Sequence, residues 1–411
     1  MTQKIRLYCT TNEDFPLKLV DVVDLFFREL KARGVEQEWY SRNRTPGPLR
    51  RDIIAGVPVI VPPWTTRFGA IGKLISVLLY WLLDAAMLMR FLWRPVDVIQ
   101  VRDKYFAAVI GLLVARLRGR VFTVWLSYPF PEHSFEQADI EHGLRRFHSR
   151  LNGHIGTMLL YRTAMRFADH CFVQSEQMKL DLHEFYGLPL SSMTAVPMGV
   201  AESVRDVEPH LNRPVEHGPN DVQTVIYVGT LHRVRRLEVM MDAFIAVARA
   251  RPNVRFQIVG DGTDPSDRER LESLVVAAGM SSRFEFTGFI PIAKAWESIA
   301  MADVCVSPFY TNRVLRVASP TKLVEYLAFG KPTVANDHPE HSRVLRDSGG
   351  GVCVPWSVEG FADGILQCLD DPVTARQMGE KGRAWVLANR TYGRLADQVL
   401  AVYERLIAEK H

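Results

Sequence analysis

Short apolar runs alternate with longer segments of helical spacing along most of this chain. The runs predict strands over residues 5–9, 57–61, 96–101, 121–126, 170–174 and 193–196, and again over 224–229, 254–259, 283–286, 303–306, 332–335 and 351–354. Helical stretches fill the gaps between them. Repeated strand–helix units predict parallel sheets that are covered by helices on both faces.

The alternation is interrupted over residues 197–221, which contain four prolines and show no periodicity. We therefore predict an α/β protein with two doubly wound, Rossmann-like domains facing a cleft. The first domain covers 1–205, a linker covers 206–222 and the second domain covers 223–386. Open α/β sheets bind ligands at the carboxyl ends of their strands, so the cleft is the expected site.

The segment 68–94 is the most hydrophobic part of the chain. Asp84 interrupts it, and Lys73, Arg90 and Arg94 flank it. The unbroken apolar run is shorter than the roughly 20 residues that a membrane-spanning helix needs. Three alternatives remain open at this stage: a buried core helix, a helix lying in the membrane interface and a true span.

Charge is unevenly distributed along the 411 residues. The net charge is +4, but residues 40–120 contain 13 Lys and Arg against 4 Asp and Glu. Such a basic surface suits an anionic partner such as lipid headgroups or a diphosphate, although a solvated basic face has the same composition. No nucleic acid is expected. The five scattered cysteines and the absence of a visible signal peptide indicate a cytoplasmic protein.

Residues 319–332 read as a short helix with both ends marked. Ser319 is expected to cap the start, and Pro320 suits the first helical position. Gly330 and Pro332 are expected to end the helix.

The start of this helix carries groups that suit a phosphate ester. It offers free backbone N–H groups, the hydroxyl of Thr321 and the cation of Lys322. Glu325 lies one turn later on the same side, where a carboxylate can accept hydrogen bonds from a ribose. The alternative is a capped core helix with a surface lysine and glutamate.

A second basic element follows the strand at 224–229. Gly229 and Thr230 lead into a loop in which Arg235 is the first candidate for a diphosphate clamp, with Arg233 and Arg236 as neighbours. A plain basic loop is the alternative. Gly288, at another strand end, has a backbone that could meet the edge of a base, or it forms a simple turn.

The remaining candidates lie where an acceptor could bind. Asp103 follows one strand of the first domain, and Glu132 and His133 lie in a proline-containing loop past another. A carboxylate and an imidazole there could orient or deprotonate a hydroxyl. Arg316, before the 319–332 helix, could meet an anion or face solvent. No metal-ligand cluster is evident, and no cofactor is expected.

Taken together, these segments resemble a retaining glycosyltransferase of the GT-B fold, family 4. The resemblance is strongest over 227–355, and its most specific part is the Ser-Pro-x-Lys-Leu-x-Glu-Tyr-Leu-Ala segment that begins at Ser319. It implies a metal-free enzyme whose second domain binds a nucleotide-sugar and whose first domain binds the acceptor. The helix at about 387–411 would pack back on the first domain. Arg235 and Lys322 would hold the diphosphate, Glu325 the ribose, and the Gly288 region the base.

Two positions depart from the family pattern. A glutamate usually stands eight positions before Glu325, where this chain has Val317, and residues 124–127 lack a histidine that often ends the strand there. The expected activity is hexose transfer from a UDP- or GDP-sugar to a lipid-linked or glycan acceptor, in surface polysaccharide or glycoconjugate synthesis at the inner membrane face. A nucleotide-sugar epimerase of the same plan, or a non-catalytic nucleotide-sugar-binding partner protein, are the alternatives.

Overall fold

The computed structural model describes residues 4–67, 69–205 and 221–410. The chain divides into two compact units, Met1–Pro197 with Tyr392–His411, and Met198–Thr391. Most of the predicted linker, residues 206–220, lies outside the described residues. Each unit is built on its own sheet, wholly or mainly parallel, with helices between the strands, which confirms the predicted α/β fold class with two domains.

The first unit contains an eight-stranded sheet in the order β3-β4-β2-β1-β5-β6-β7-β8. All neighbouring strands are parallel except the β3–β4 pair at one edge. The strands are β1 (Ile5–Asp14), β2 (Val35–Arg42), β3 (Arg50–Ile54), β4 (Val57–Val61), β5 (Val98–Arg102), β6 (Val121–Leu126), β7 (His170–Val173) and β8 (Met193–Ala195).

Helices connect these strands. They are a helical segment Asp21–Leu30, α1 (Gly69–Met89), α2 (Tyr105–Arg118), α3 (Phe130–Ile140), α4 (Gly143–Gly156), a helical segment Thr157–Met165, and α5 (Glu176–Tyr186). Phe26, Trp39 and Trp125 pack edge to face in the core between the sheet and the first of these segments.

The second unit contains a six-stranded sheet in the order β11-β10-β9-β12-β13-β14, and its pairs are parallel. The strands are β9 (Gln223–Val228), β10 (Val254–Val259), β11 (Phe284–Gly288), β12 (Val304–Ser307), β13 (Thr333–Asn336) and β14 (Gly351–Val354). The helices are α6 (Glu238–Ala250), α7 (Pro265–Ala277), α8 (Ile292–Met301), α9 (Thr321–Ala328), α10 (Pro339–Ser348), α11 (Val358–Asp370) and α12 (Pro372–Asn389).

The chain ends with α13 (Tyr392–Lys410), which belongs to the first unit. Tyr403 is buried in the core of that unit and donates a hydrogen bond to Gln100 at 2.6 Å.

The apolar helix α1 is attached to the sheet by its few polar residues. Ser76, Tyr80, Asp84 and Leu88 recur every four positions and are buried. The Asp84 carboxylate accepts a hydrogen bond from the Lys104 ammonium at 2.7 Å and from the Thr10 hydroxyl at 2.6 Å. Asp84 therefore faces inward, although it interrupts an apolar run.

The outer side of α1 is apolar and exposed. Only 28% of its most apolar window is buried, so α1 is not a core helix. By length and composition residues 71–92 could cross a membrane, with a mean hydropathy of 1.7. The large apolar side chains exposed on α1 are Ile71, Leu74, Ile75, Val77, Leu78, Leu79, Trp81, Leu82 and Met89.

Candidate functional site

The start of α9 differs in two details from the sequence prediction, which expected Ser319 as the cap and Pro320 as the first helical residue. The helix begins at Thr321, Pro320 occupies the cap position, and no side chain among the described residues caps the first amides. The prediction that Ser319 caps the helix is wrong, because its hydroxyl accepts a hydrogen bond from the Met198 amide at 2.9 Å. The first backbone N–H groups are therefore left without a side-chain acceptor, which is the arrangement that favours an anion.

Tyr326 fixes α9 against the end of β9. Its hydroxyl accepts a hydrogen bond from the Val228 amide at 2.8 Å, and the side chain is fully buried. Leu323, Val324 and Leu327 bury the same apolar face. Gly330, with φ of +68°, ends the helix as predicted.

Lys322 lies directly over Gly229 at the end of β9. A Cβ atom at Gly229 would overlap Lys322 Cε and lie 2.5 Å from its Nζ. The ammonium also lies 5.3 Å from the centre of the Tyr227 ring. A glycine at position 229 is thus required for the lysine to reach the strand end.

Arg235 is the second cation of this group. Its Nε donates to the Thr230 hydroxyl at 2.8 Å, and the guanidinium lies 5.9 Å from the Phe309 ring centre. Burial and the Arg235 charge lower the pKa of Lys322 to about 7, which Glu325 opposes. The two cations repel each other, so a bound anion would relieve an unfavourable interaction.

Glu325 lies three positions after Lys322 and is half-buried. Burial raises the pKa of its carboxyl to about 6, against the opposing Lys322 charge. Within the described residues no donor bonds this carboxylate, so its oxygens are available to hydroxyl groups.

Three strand ends meet beside this cluster. The Gly260 amide donates to the Gly288 carbonyl at 3.0 Å, and a Cβ at Gly260 would overlap the Gly229 carbonyl. The Thr287 hydroxyl also donates to the Gly288 carbonyl, at 2.9 Å. The Gly288 carbonyl thus already accepts two hydrogen bonds, so a nucleotide base bound here would contact other groups.

The other arginines of the basic loops lie in different surroundings. Arg233 is exposed, with its Nη2 3.3 Å from the Ser266 hydroxyl and its Nε 3.8 Å from Asp267. The Arg236 guanidinium stacks over Tyr310 at 4.0 Å. Arg316 is half-buried in the turn Leu315–Val317, before α9.

In the first unit, Asp103 is buried and connects two neighbouring strand ends. Its carboxylate accepts hydrogen bonds from the Ser127 amide, at 2.9 Å, and from the Ser127 hydroxyl. Burial raises the pKa of Asp103, although Arg102 opposes this. The geometry gives Asp103 a role in holding the segment that follows β6.

Glu132 and His133 do not lie in a loop, as the sequence analysis expected, but in the first turn of α3. The two prolines occupy the cap and an early helical position, where a missing N–H is tolerated. Both oxygens of Glu132 accept hydrogen bonds from tyrosine hydroxyls, those of Tyr161 and Tyr186, each at 2.7 Å. His133 Nδ1 lies 3.1 Å from the Tyr128 hydroxyl.

The sequence analysis missed a buried charge cluster in the first unit. Arg102 is 1% exposed and lies 2.9 Å from Glu13 and 2.8 Å from Asp21. Burial raises the pKa of Glu13 to about 7, which Arg102 opposes. In the sequence, this cluster is indicated only by an arginine at the end of a strand, because its partners Glu13 and Asp21 come from separate segments. Tyr326, which anchors α9, and Tyr227, whose ring lies next to the Lys322 ammonium, were missed as well, since each reads as an ordinary core residue.

The chain is similar to known glycosyltransferases. The family described as "Glycosyltransferase Family 4" matches residues 20–204, and "Glycosyl transferases group 1" matches residues 222–371. The matching segment shares 28% identity with phosphatidyl-myo-inositol mannosyltransferase of Mycobacterium tuberculosis, over 45% of this chain and 48% of that protein. It shares 26% with 2-deoxystreptamine glucosyltransferase of Streptomyces kanamyceticus, over 54% of this chain and 59% of that protein. The chain thus spans about half the length of these curated relatives.

Solved structures show the same fold. Sucrose-phosphate synthase of Thermosynechococcus elongatus has a TM-score of 0.68 at 18% identity, covering 99% of this chain and 100% of that one. The Anabaena protein HepE, solved in complex with UDP, has a TM-score of 0.66 at 14% identity, and the match covers 98% of this chain and 100% of HepE. The chain therefore carries a glycosyltransferase family 4 domain in its first half and a glycosyl transferases group 1 domain in its second half, and it has the GT-B fold.

Proposed function

We propose that this protein transfers a hexose, with retention, from a nucleotide-sugar to a hydroxyl of a lipid-linked or glycan acceptor. The observation that carries this proposal is the position of Lys322, which lies over Gly229 beside the uncapped start of α9. Two cations and free amides converge there, with a free carboxylate one turn further along.

In this proposal the cations act on the leaving diphosphate. Negative charge grows on the diphosphate as the bond to the sugar breaks, and fixed donors that face it stabilise the transition state. Lys322 and Arg235 supply the positive charge, and the first amides of α9 supply hydrogen bonds, with the Thr321 hydroxyl beside them. Glu325 accepts hydrogen bonds from the ribose, and Gly229, Thr230 and Gly288 shape the donor site.

The donor is proposed to be a UDP- or GDP-sugar. HepE, a structural neighbour, binds UDP, and the mannosyltransferase relative is named for a transfer to a phosphatidylinositol. A lipid-linked acceptor agrees with the exposed apolar side of α1 and the basic composition of residues 40–120. We therefore propose a cytoplasmic protein that contacts the inner membrane face through residues 68–94 and acts in surface polysaccharide or glycoconjugate synthesis.

The experiment is nucleotide-sugar turnover with an acceptor panel, comparing wild type with Lys322→Ala and Arg235→Ala. Each variant is expected to lose at least about a hundredfold in kcat, as removal of one donor to a developing charge does elsewhere. Arg249→Ala, on α6, is the matched control and should behave as wild type. Activity near that of wild type in both site variants would show that Lys322 and Arg235 do not stabilise the leaving diphosphate.

A non-catalytic nucleotide-sugar-binding protein is the second candidate. It is favoured by Val317, which is 4% exposed and stands where the family usually has a glutamate. Tight donor binding without turnover on the whole panel would support it. Sugar transfer to any acceptor in the panel would exclude it.

A further inference from the structure

The first unit contains a cavity of 610 Å³ that none of the assigned roles uses. It lies at the carboxyl ends of β1, β2 and β4, beside α1. Its lining includes Arg42, Arg44, Trp64, Lys73, Tyr80 and Trp81. Carboxyl strand ends are the usual binding edge of such sheets.

The cavity carries excess positive charge. Asp14 holds Arg42 through two hydrogen bonds of 2.7 and 2.9 Å, and Arg44 lies 3.5 Å from the same carboxylate. The Arg44 side chain is 63% exposed. Lys73 forms no ion pair within the described residues. One carboxylate therefore faces three cations, and Arg44 and Lys73 remain able to bind an anion.

Buried hydrogen bonds fix the wall of the cavity before any ligand arrives. Asn43 is 1% exposed, and its amide group donates to the carbonyls of Thr45 and Pro62, both at 2.9 Å. The Ser76 hydroxyl accepts from the Thr65 amide at 2.8 Å, which ties the 64–66 segment to α1. A fixed wall lowers the ordering cost of binding.

The cavity continues into the apolar side of α1. Val77 and Trp81 line the cavity and also belong to the exposed side of the helix, next to Leu74 and Leu78. A ligand that fills the cavity and extends beyond it would place its charge between the cations and its remaining part along apolar side chains. This arrangement suits an amphipathic anion.

We propose that this cavity binds the phosphate or diphosphate group of a lipid, whose hydrocarbon chain lies along the exposed side of α1. The inference rests on the proposed function, since such a lipid would be the acceptor or its carrier. It adds a headgroup site built by Arg44 and Lys73, with Arg42 held in place by Asp14.

The test is calorimetric titration of the full chain with geranyl phosphate, a short prenyl phosphate, compared with geraniol and with inorganic phosphate. Geranyl phosphate is expected to bind more tightly than either. The double variant Arg44→Gln/Lys73→Gln is expected to weaken its binding at least tenfold, because it removes two charged groups that bind the phosphate. Lys4→Gln/Arg51→Gln removes two exposed charges from the same unit outside the cavity and should leave the affinity unchanged.

Two outcomes would overturn the proposal. One is equal affinity of wild type and the cavity variant for geranyl phosphate. The other is that geraniol or inorganic phosphate binds as tightly as geranyl phosphate. That result would show that the phosphate and the hydrocarbon chain do not both contribute to the affinity. UDP and GDP binding is measured on the same samples. If the wild type binds neither UDP nor GDP, the proposed function is contradicted, whereas the result for geranyl phosphate binding in the cavity remains valid.

Discussion

Lys322 shows how one residue depends on the identity of another that is distant in sequence. Its side chain reaches the end of β9 because position 229 has no Cβ, and Tyr326 on the same helix anchors α9 to Val228. The lysine and the glutamate could be predicted from the sequence as neighbours on one helix. The contact with Gly229 could not, because it is a packing distance between segments about a hundred residues apart.

Donor affinity should depend on pH through Lys322. Because its pKa is about 7 in the free protein, the ammonium is lost as pH rises through that value. A diphosphate favours the protonated form, so binding takes up a proton, and affinity should fall by up to about tenfold per pH unit above it. Titrations with UDP and GDP from below to above this pH measure the effect.

Lys322→Met should bind more weakly at low pH and show a flatter profile. Lys294→Met, an exposed lysine on α8, serves as control and should retain the wild-type slope. An unchanged slope in Lys322→Met would assign the titration to a different group.

At the scale of elements, α1 is the least ordinary helix of the fold. Its composition alone left three alternatives open, because an apolar run contains no information on which side is covered. The structure shows which side is covered, because the buried Asp84 carboxylate and its partner Lys104, 1–2% exposed, fix the helix against the sheet. The strand β2 was also missed from the sequence, since Glu36, Gln37 and Glu38 obscure its alternation.

The Lys104–Asp84 pair should contribute strongly to stability only as a pair. Lys104→Met leaves a buried carboxylate without its cation, and we expect a loss of about 3–5 kcal/mol in the free energy of unfolding. Lys104→Met/Asp84→Leu should recover most of this loss, because apolar replacement of both partners is often neutral. Urea denaturation of the three proteins measures the difference.

The exposed pair of Lys294 and Glu297 provides the comparison for that series. Lys294→Met should change the free energy of unfolding by less than about 1 kcal/mol. If the double variant at positions 84 and 104 is no more stable than the single one, the pairing is not the source of the stability.

At the scale of the whole molecule, sequence periodicity predicted all six strands of the second sheet and six of the eight strands of the first, and motif chemistry predicted the group around α9. The cavity beside α1 could not be predicted, since its lining comes from four separate segments that contribute one to four residues each. The same holds for the Arg102 cluster. A periodic pattern within one helix or strand can be read from a sequence. A group of side chains that the fold brings together from separate segments cannot.

The protein should bind anionic membranes through its first unit. Sedimentation with phosphatidylglycerol-containing vesicles at low salt should pellet the wild type, because apolar burial adds to roughly 1 kcal/mol per basic residue near the surface. Leu78→Ser/Leu82→Ser should stay in the supernatant, and Val276→Ser/Val373→Ser, equally exposed apolar positions on the second unit, should pellet as wild type. Wild type remaining in the supernatant would refute membrane contact.

The central claim is that the start of α9, with Lys322 and Arg235, holds a diphosphate. A crystal structure of the chain with UDP or GDP tests it most directly. The account predicts the diphosphate within hydrogen-bonding distance of the Lys322 ammonium and the first amides of α9, with a ribose hydroxyl on Glu325. A nucleotide bound elsewhere, with Lys322 and Glu325 unchanged and uncontacted, would contradict it.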